Sequence, residues 1–420
     1  MVSMGRAKRD WEAKSARGYY NVADKYVCSK CFDDYAICKF INENAVEKVC
    51  DYCGNESSDA IAAPLEDVVE FVLKGIRTEW GDPNNEGVGW EGGWVGAEVI
   101  GSDELIRYRV GLENCSEGLL QDIIDPIWDR EWCQRNPYGL RTEEALTFSW
   151  FDFVEQVKHH TRYIFFRLDN EEQHFYDIDK IPASRMLDRI SWVISELNSE
   201  IDIIKVLNLG SEIFRVRVHS ANKEYNTARE LGPPLPENAK SSNRMSPAGI
   251  PMFYGSFDRE TALKETITRE IRPGTVATIA TFKTLRSIRL LNLTGLPKVP
   301  SLFDPNNRHM RSALKFMHSF VSDLSKPVVK DNLEHIEYVP TQIFTEYLRY
   351  LYTDNEGNSL DGIIYPSAAN TDGVSCVLFL ENKHCCDHYQ DTMDDRDSET
   401  KYLFLEKVER RLLRRQSTLS

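Results

Sequence analysis

The sequence predicts an α+β protein in three parts followed by a charged tail. Three observations carry that prediction. Five of the ten cysteines crowd between Cys28 and Cys53. Helical periodicity dominates from about 61 to 205. After Leu209 the texture changes to short apolar runs interrupted by a few helices, the pattern of a mixed sheet with its own helices. The expected boundaries are a metal-binding module over 1–60, a helical domain over 61–205, a strand-rich domain over 206–386 and a charged tail over 387–420.

The composition suits a folded protein with a real core, at 41% hydrophobic and 28% charged residues. No apolar run approaches the ~20 residues that span a bilayer. The opening MVSMGRAKRDWEAK lacks the apolar stretch of a secretory leader, so a cytoplasmic protein without membrane contact is expected. A net charge of −15 argues against nucleic acid as a partner. It leaves room for an anionic small molecule, since a few local arginines can hold phosphate inside an acidic protein.

In the first part, residues 1–20 read as a polar, helical lead-in. Cys28-x-x-Cys31 and Cys50-x-x-Cys53 follow, with eighteen residues between the two pairs. A two-residue gap lets both thiolates of a pair face one tetrahedral Zn²⁺, and four thiolates close the shell. In a reducing compartment this clustering points to metal rather than disulfides. A closed shell leaves no open position, so the zinc is structural and staples a module too small to build its own core. Gly54 permits the turn after the second pair. Cys38 falls outside the pattern and is expected to be buried. Packed free cysteines are the bland alternative.

In the second part, PLEDVVEFVLKGI carries a helical stripe, and WGDPNNEGVGWEGGWVG (80–96) reads as a loop. Helices are expected again around SDELIRYRV (102–110) and CSEGLLQDIIDPIW (115–128) and then over 143–166 and 184–202, with the aromatics between Trp128 and Tyr176 as core. Arg167 and His174 have the loose spacing of an HEPN ribonuclease pair, but the acidic run RLDNEEQHFYD around them would repel a phosphodiester. His159 and His160 are expected on a helix face and not on a metal.

In the third part, strands are expected over 211–219, 249–255, 274–282, 287–294, 361–367 and 374–380, and helices over 258–271, 307–325 and 341–353. The tail reads as a frayed helix. Strand alternation over SEIFRVRVH puts Phe214, Val216 and Val218 on one face and Arg215, Arg217 and His219 on the other. The basic face then lines a surface or cleft, and two neighbouring arginines suit a pyrophosphate, although on its own the pattern fits an ordinary surface strand better. Pro251 opens a strand bearing Met252 and Tyr254. Asp258 caps the next helix. Glu265, three residues after Ala262, is expected at the flank of that helix's apolar side, partly buried and in need of a partner. Arg244 lies in the loop before this strand, and an Arg–Glu structural pair is the bland alternative. Ser367 ends the strand DGIIYPS. The sequence has no G-x-S-x-G elbow, P-loop or G-x-G-x-x-G.

The stretches IFRVR, NRMSPAGIPMFYGSFDRETALKE, PTQIFTEYLRY, DGIIYPSAAN and CVLFLEN, in this order, resemble the RES domain, named for its Arg, Glu and Ser. CSKCFDDYAICKFI, CDYCG and WEGGW resemble an HEPN/RES N-terminal region. The resemblance implies an ADP-ribosyltransferase-like fold and a toxin-like enzyme that cleaves NAD⁺ at the nicotinamide–ribose bond, with phosphate or water as acceptor. It implies Arg215, Tyr254, Glu265 and Ser367 as catalytic residues, with Arg217 a rival to Arg215. Arg217, Arg244 and Asn382 are then substrate-binding. Family members carry Gly-Arg-Trp-Asn where this chain has Asn243-Arg244-Met245-Ser246, which leaves the neighbours of the arginine without assigned roles. The implied setting is toxin–antitoxin or phage defence, with an antitoxin or regulatory protein, or a second copy of the chain, as partner. Two other readings stay open at this point. One is a mono-ADP-ribosyltransferase acting on a protein. The other is a catalytically silent, zinc-stapled interaction protein. The N-terminal parts are expected to sense a trigger, to dimerise or to restrain the catalytic half.

Overall fold

The computed structural model describes residues 17–167, 179–267, 274–326, 333–387 and 400–413. Two compact units emerge, one taking the chain up to Thr142 with Lys298–Ser312, the other taking Glu143–Pro297 with Ala313 onward. Among the described residues, no helix is long and apolar enough to cross a membrane.

In the first unit, β1 (Tyr26–Cys28) pairs antiparallel with β2 (Ala62–Pro64), closing the ends of the cysteine module. Between them runs α1 (Tyr35–Glu43), capped by the Asp34 carboxylate, which accepts from the amides of Ala36 and Ile37. Next, α2 (Leu65–Ile76) buries Leu65, Val68, Val69, Val72, Leu73 and Ile76, the stripe that its spacing dictates. Beyond it the unit is less helical than its sequence suggests. A three-stranded antiparallel sheet forms from β3 (Trp80–Gly81), β6 (Ile100–Gly101) and β7 (Glu131–Gln134), with β7 central. The Trp- and Gly-rich stretch expected as a loop holds a hairpin of β4 (Gly89–Trp90) and β5 (Trp94–Val95), whose turn uses Gly92 at φ +79°. A short helical run at Ser102–Arg109 and α3 (Glu117–Ile124) lie between and beside these strands. Short runs rich in Gly and Trp form strands too brief for any period to register.

The core of this unit contains Leu302 and Phe303, supplied by a strap more than 150 residues downstream of Thr142. Tyr35 Oη donates to Asp304 at 2.7 Å, and Arg311 Nε bonds Glu79 at 3.0 Å. Gly75 lies so close to the Phe303 ring that an added Cβ would sit 2.5 Å from it. Phe303→Ala is therefore expected to lower stability by about 3–5 kcal/mol, read from the urea midpoint of the first unit. A shift of less than about 1 kcal/mol would show that the strap is only laid on this core.

The second unit opens with α4 (Thr142–Glu155) and α5 (Ala183–Ile201). Then come β8 (Ile204–Leu207), β9 (Glu212–Ser220), the short α6 (Ala228–Leu231), β10 (Phe253–Ser256), α7 (Arg259–Thr266), β11 (Thr275–Thr284) and β12 (Ile288–Asn292). Helices α8 (Arg311–Ser325) and α9 (Val339–Tyr350) precede β13 (Gly362–Pro366), β14 (Val374–Leu378), β15 (Cys385–Cys386) and β16 (Leu403–Leu412). The strands form one nine-stranded sheet in the order β15-β16-β11-β9-β10-β14-β13-β12-β8. Neighbours are antiparallel except β12–β13 and β15–β16, so the unit is a mixed α+β structure.

Two features correct the sequence reading. The expected frayed helix near the C-terminus is the strand β16, which pairs along the whole of β11. Leu403 and Leu405 alternate into the core, while Lys283–Glu406 and Arg259–Glu409 ion pairs absorb charges that had suggested a solvated helix. Val218 is exposed and does not extend the apolar face of Phe214 and Val216. The aromatics of 128–176 are likewise divided. Trp132, Trp150 and Phe153 are buried, whereas Phe148, Phe151, Tyr163 and Phe166 are exposed.

What positions the site is a defect in the sheet. β9 pairs with β11 over nine successive residues. With β10 it shares one pair, Ser256 with Phe214. The two strands then diverge. Gly255 sits at the junction, where a Cβ would meet the Ile213 side chain at 2.5 Å.

Candidate active site and metal centre

The opening between β9 and β10 leads into a cavity of about 1160 Å³ within the second unit. Arg215, Arg217, Arg244, Tyr254 and Glu265 all line it. β9 contributes the first two arginines. Arg215 Nη1 donates across the opening to the Tyr254 carbonyl at 2.6 Å, and its guanidinium lies 5.2 Å from the centre of the Phe253 ring. Arg217 Nη2 donates to the Gly232 carbonyl at 2.9 Å. Both Nε atoms are buried without a partner. Burial, and then the neighbouring Arg217, lower the Arg215 pKa to about 10, which leaves it cationic at neutral pH. Burial lowers Arg217 as well. Among the described residues neither arginine forms an ion pair within 4.0 Å. Two half-buried cations side by side without a counter-charge are costly, and an anion between them offsets that cost.

Tyr254 stands on β10 with its hydroxyl 2.9 Å from Ser246 Oγ. Burial pushes its pKa up to about 12, so the phenol stays neutral. Ser246 is buried and follows Arg244 by two residues on the same loop. That loop is clamped by α9. Gln342 Nε2 donates to the Asn243 carbonyl at 2.8 Å and to Ser242 Oγ at 2.7 Å, and the Thr341 hydroxyl donates to the Arg244 carbonyl. Arg244 spends its guanidinium on the Leu324 and Lys326 carbonyls at the end of α8. It borders the cavity as an anchored group.

Glu265 sits in the last turn of α7, and here the expectation of partial burial is corrected, because the residue is exposed. Helix α7 buries Thr261 and Ala262 and ends at Thr266, so its final turn projects over the cavity mouth. Ser367 is the buried member of the pair, at 8% exposure. Its hydroxyl donates to Glu265 Oε1 at 2.5 Å and accepts from the amides of Ala369 and Asn370. A hydroxyl has one proton and two lone pairs. All are used, so Ser367 holds the carboxylate and has nothing left for a ligand. The loop is pinned to α7 a second time by Asn370 Nδ2 on Thr261 Oγ1 at 2.7 Å.

Asn382 lies apart from the cavity lining. Its amide donates to the Arg229 and Pro233 carbonyls at 2.8 and 2.7 Å. One cavity residue that was read only as part of a strand is Tyr365. A signal was present, since it precedes Ser367 by two residues and so shares its face of the strand.

In the first unit, the thiols of Cys28, Cys31, Cys50 and Cys53 all lie within 4.8 Å of one another. Sγ–Sγ distances are 3.5 Å for Cys28–Cys53, 3.6 Å for Cys31–Cys50 and 4.0 Å for Cys28–Cys31. Zinc–sulfur bonds of about 2.3 Å in a tetrahedron place sulfurs about 3.8 Å apart, so the quartet fits such an ion. Burial raises the Cys28 thiol to about 11 and Cys31 further, whereas at Cys50 burial is outweighed by the amides of Cys53, Tyr52 and Cys28, which lower it to about 7. Gly54 makes the turn at φ +65°. Cys38 is half-buried, not buried as expected, and bonds the Ser29 and Phe32 carbonyls. No other metal-holding group occurs among the described residues. The exposed His159 and His160 do have an acidic neighbour, Glu155, at 4.0 and 3.9 Å. Arg167 is exposed, and His174 lies outside the described residues, as does most of the expected lead-in at 1–20.

A family model for HEPN/RES N-terminal domain 1 matches residues 43–171, and one for the RES domain matches residues 212–399. The second match covers the strands and helices that frame the cavity but stops short of β16. No curated protein and no solved structure matches the chain.

Proposed function

From a chain that carries a RES domain behind an HEPN/RES N-terminal domain 1, we propose an NAD⁺-consuming, toxin-like enzyme on an ADP-ribosyltransferase-like fold. The observation that carries this reading is the pairing of two half-buried arginines, whose Nε atoms are buried and which lack a counter-charge, with a carboxylate held at the mouth of the same cavity. An elongated, doubly charged dinucleotide suits such a site. Its pyrophosphate would supply the anion that Arg215 and Arg217 lack. Its nicotinamide ribose would reach the carboxylate.

The reaction breaks the nicotinamide–ribose C–N bond, and the bonding electrons leave with nicotinamide. Positive charge grows on the ribose ring as the bond lengthens. Glu265 is negative, and its Oε2 remains available while Ser367 engages Oε1. It accepts a ribose hydroxyl and stabilises the developing cation, an interaction stronger in the transition state than before it. Tyr254, its hydroxyl fixed by Ser246, offers a ring to the nicotinamide. Phosphate or water then attacks ribose C1 and loses its proton. The four cysteines would hold a structural Zn²⁺ whose closed shell takes no part in this chemistry.

The purified protein incubated with NAD⁺ is expected to release free nicotinamide, followed by NMR, faster with added phosphate if phosphate is the acceptor. No release in either buffer removes the proposal. Anion occupancy has its own signature. ADP is expected to raise the melting temperature of the wild type, and Arg215→Met is expected to lose most of that shift.

A further inference from the structure

The strand registers put a row of hydroxyls on one face of the sheet. Tyr254 pairs with Val377, Ser256 with Ser375, and Ser375 with Tyr365, so Tyr254, Ser256, Ser375 and Tyr365 point the same way. Ser367 follows two residues after Tyr365, and Glu265 engages it from α7. Most of this row is satisfied internally. Tyr254 has Ser246, Ser256 and Ser375 have each other at 3.1 Å, and Ser367 has Glu265. Tyr365 differs. Its ring lines the cavity, yet among the described residues no hydrogen bond satisfies its phenol oxygen.

The residue is half-buried and its oxygen is not sealed from the cavity, so the hydroxyl is free to bond whatever enters there. We propose that Tyr365 contacts the substrate, donating a hydrogen bond to an oxygen of the nicotinamide-riboside end that Glu265 engages. The inference rests on the NAD⁺ reading and names a group that reading did not use. Geometry favours that end of the molecule, because Tyr365 shares its surroundings with Tyr254 and Glu265, while Arg215 and Arg217 alternate to the opposite face of β9. Burial, with Tyr254 and Glu265 nearby, holds the phenol far above its ordinary pKa, so it donates across the working pH range.

Tyr365→Phe removes one oxygen and keeps the ring. KM for NAD⁺ is expected to rise, and kcat/KM to fall about 5–10-fold, the scale of one neutral hydrogen bond, with the melting temperature unchanged. Competition by fragments separates contact from scaffold. Nicotinamide mononucleotide is expected to bind the variant about 5–10-fold more weakly than the wild type, and ADP equally well. Unchanged binding of both fragments, or equal weakening of both, overturns the inference while leaving NAD⁺ consumption intact. Wild-type protein that neither binds nor consumes NAD⁺ overturns this inference together with the proposed function.

Discussion

Glu265→Gln is expected to slow NAD⁺ consumption about 100- to 1,000-fold, the usual scale for removing one charge-stabilising group from a transition state. Glutamine keeps the size of the side chain and can still accept from Ser367, so the geometry at Oε1 survives. What disappears is the negative charge opposite the ribose. Because Glu265 is exposed and forms no ion pair among the described residues, its loss should leave folding within about 0.5 kcal/mol of wild type. Ser367→Ala should act through the same carboxylate and more weakly, by roughly tenfold, since it frees Oε1 without removing charge. Nicotinamide release at equal enzyme concentration is the measurement. A glutamine variant as fast as wild type would sink the role given to Glu265.

Stripping the cysteine quartet of metal is expected to have the larger effect on stability. Thiolate sites of this kind contribute on the order of 10 kcal/mol of apparent binding energy, and here part of it is folding energy, since Val27, Ile37, Ile41 and Ala62 also pack into the core of the first unit. Residues 26–64 are held by β1, β2 and α1, and the four thiols stand between them. Cys50→Ser, or a strong chelator, should therefore abolish amide-exchange protection across 26–64 and remove one equivalent of zinc by elemental analysis. A Cys50→Ser protein with native metal content and unchanged exchange would show that the cysteines merely pack.

Much of this architecture is legible in the residues. The six expected strands of the second unit each coincide with an observed one, because each is a short apolar run bounded by turn residues. The cysteine quartet is readable from spacing, since two-residue gaps dictate where thiols point. The site is legible only in pieces. Arg215 and Arg217 are marked by alternation, but nothing local says that β9 pairs once with β10 and opens a cavity there. That depends on partners far along the chain. Ser367 shows the same limit. Its position at a strand end suggests a ligand, whereas its two amide donors and one carboxylate acceptor already saturate it. Tyr365 is hidden in the sequence because a tyrosine in an apolar strand reads as core. β16 was hidden by charge, since ion pairs across a sheet and a solvated helix leave the same composition.

The strap bearing Leu302 and Phe303 has a consequence for how the chain is made. The ribosome delivers Thr142 and then another 155 residues before Lys298 appears. At about 5–20 residues per second the first unit waits roughly 10–30 s for the last part of its core. During that interval the surface around Gly75, Leu73 and Ile76 lacks its cover, and a chaperone or a partner protein could occupy it. A fragment starting near 206 has the opposite defect, presenting Leu302 and Phe303 with no core to receive them. Any toxicity measured for such a fragment would mix catalysis with the fate of an orphaned apolar strap.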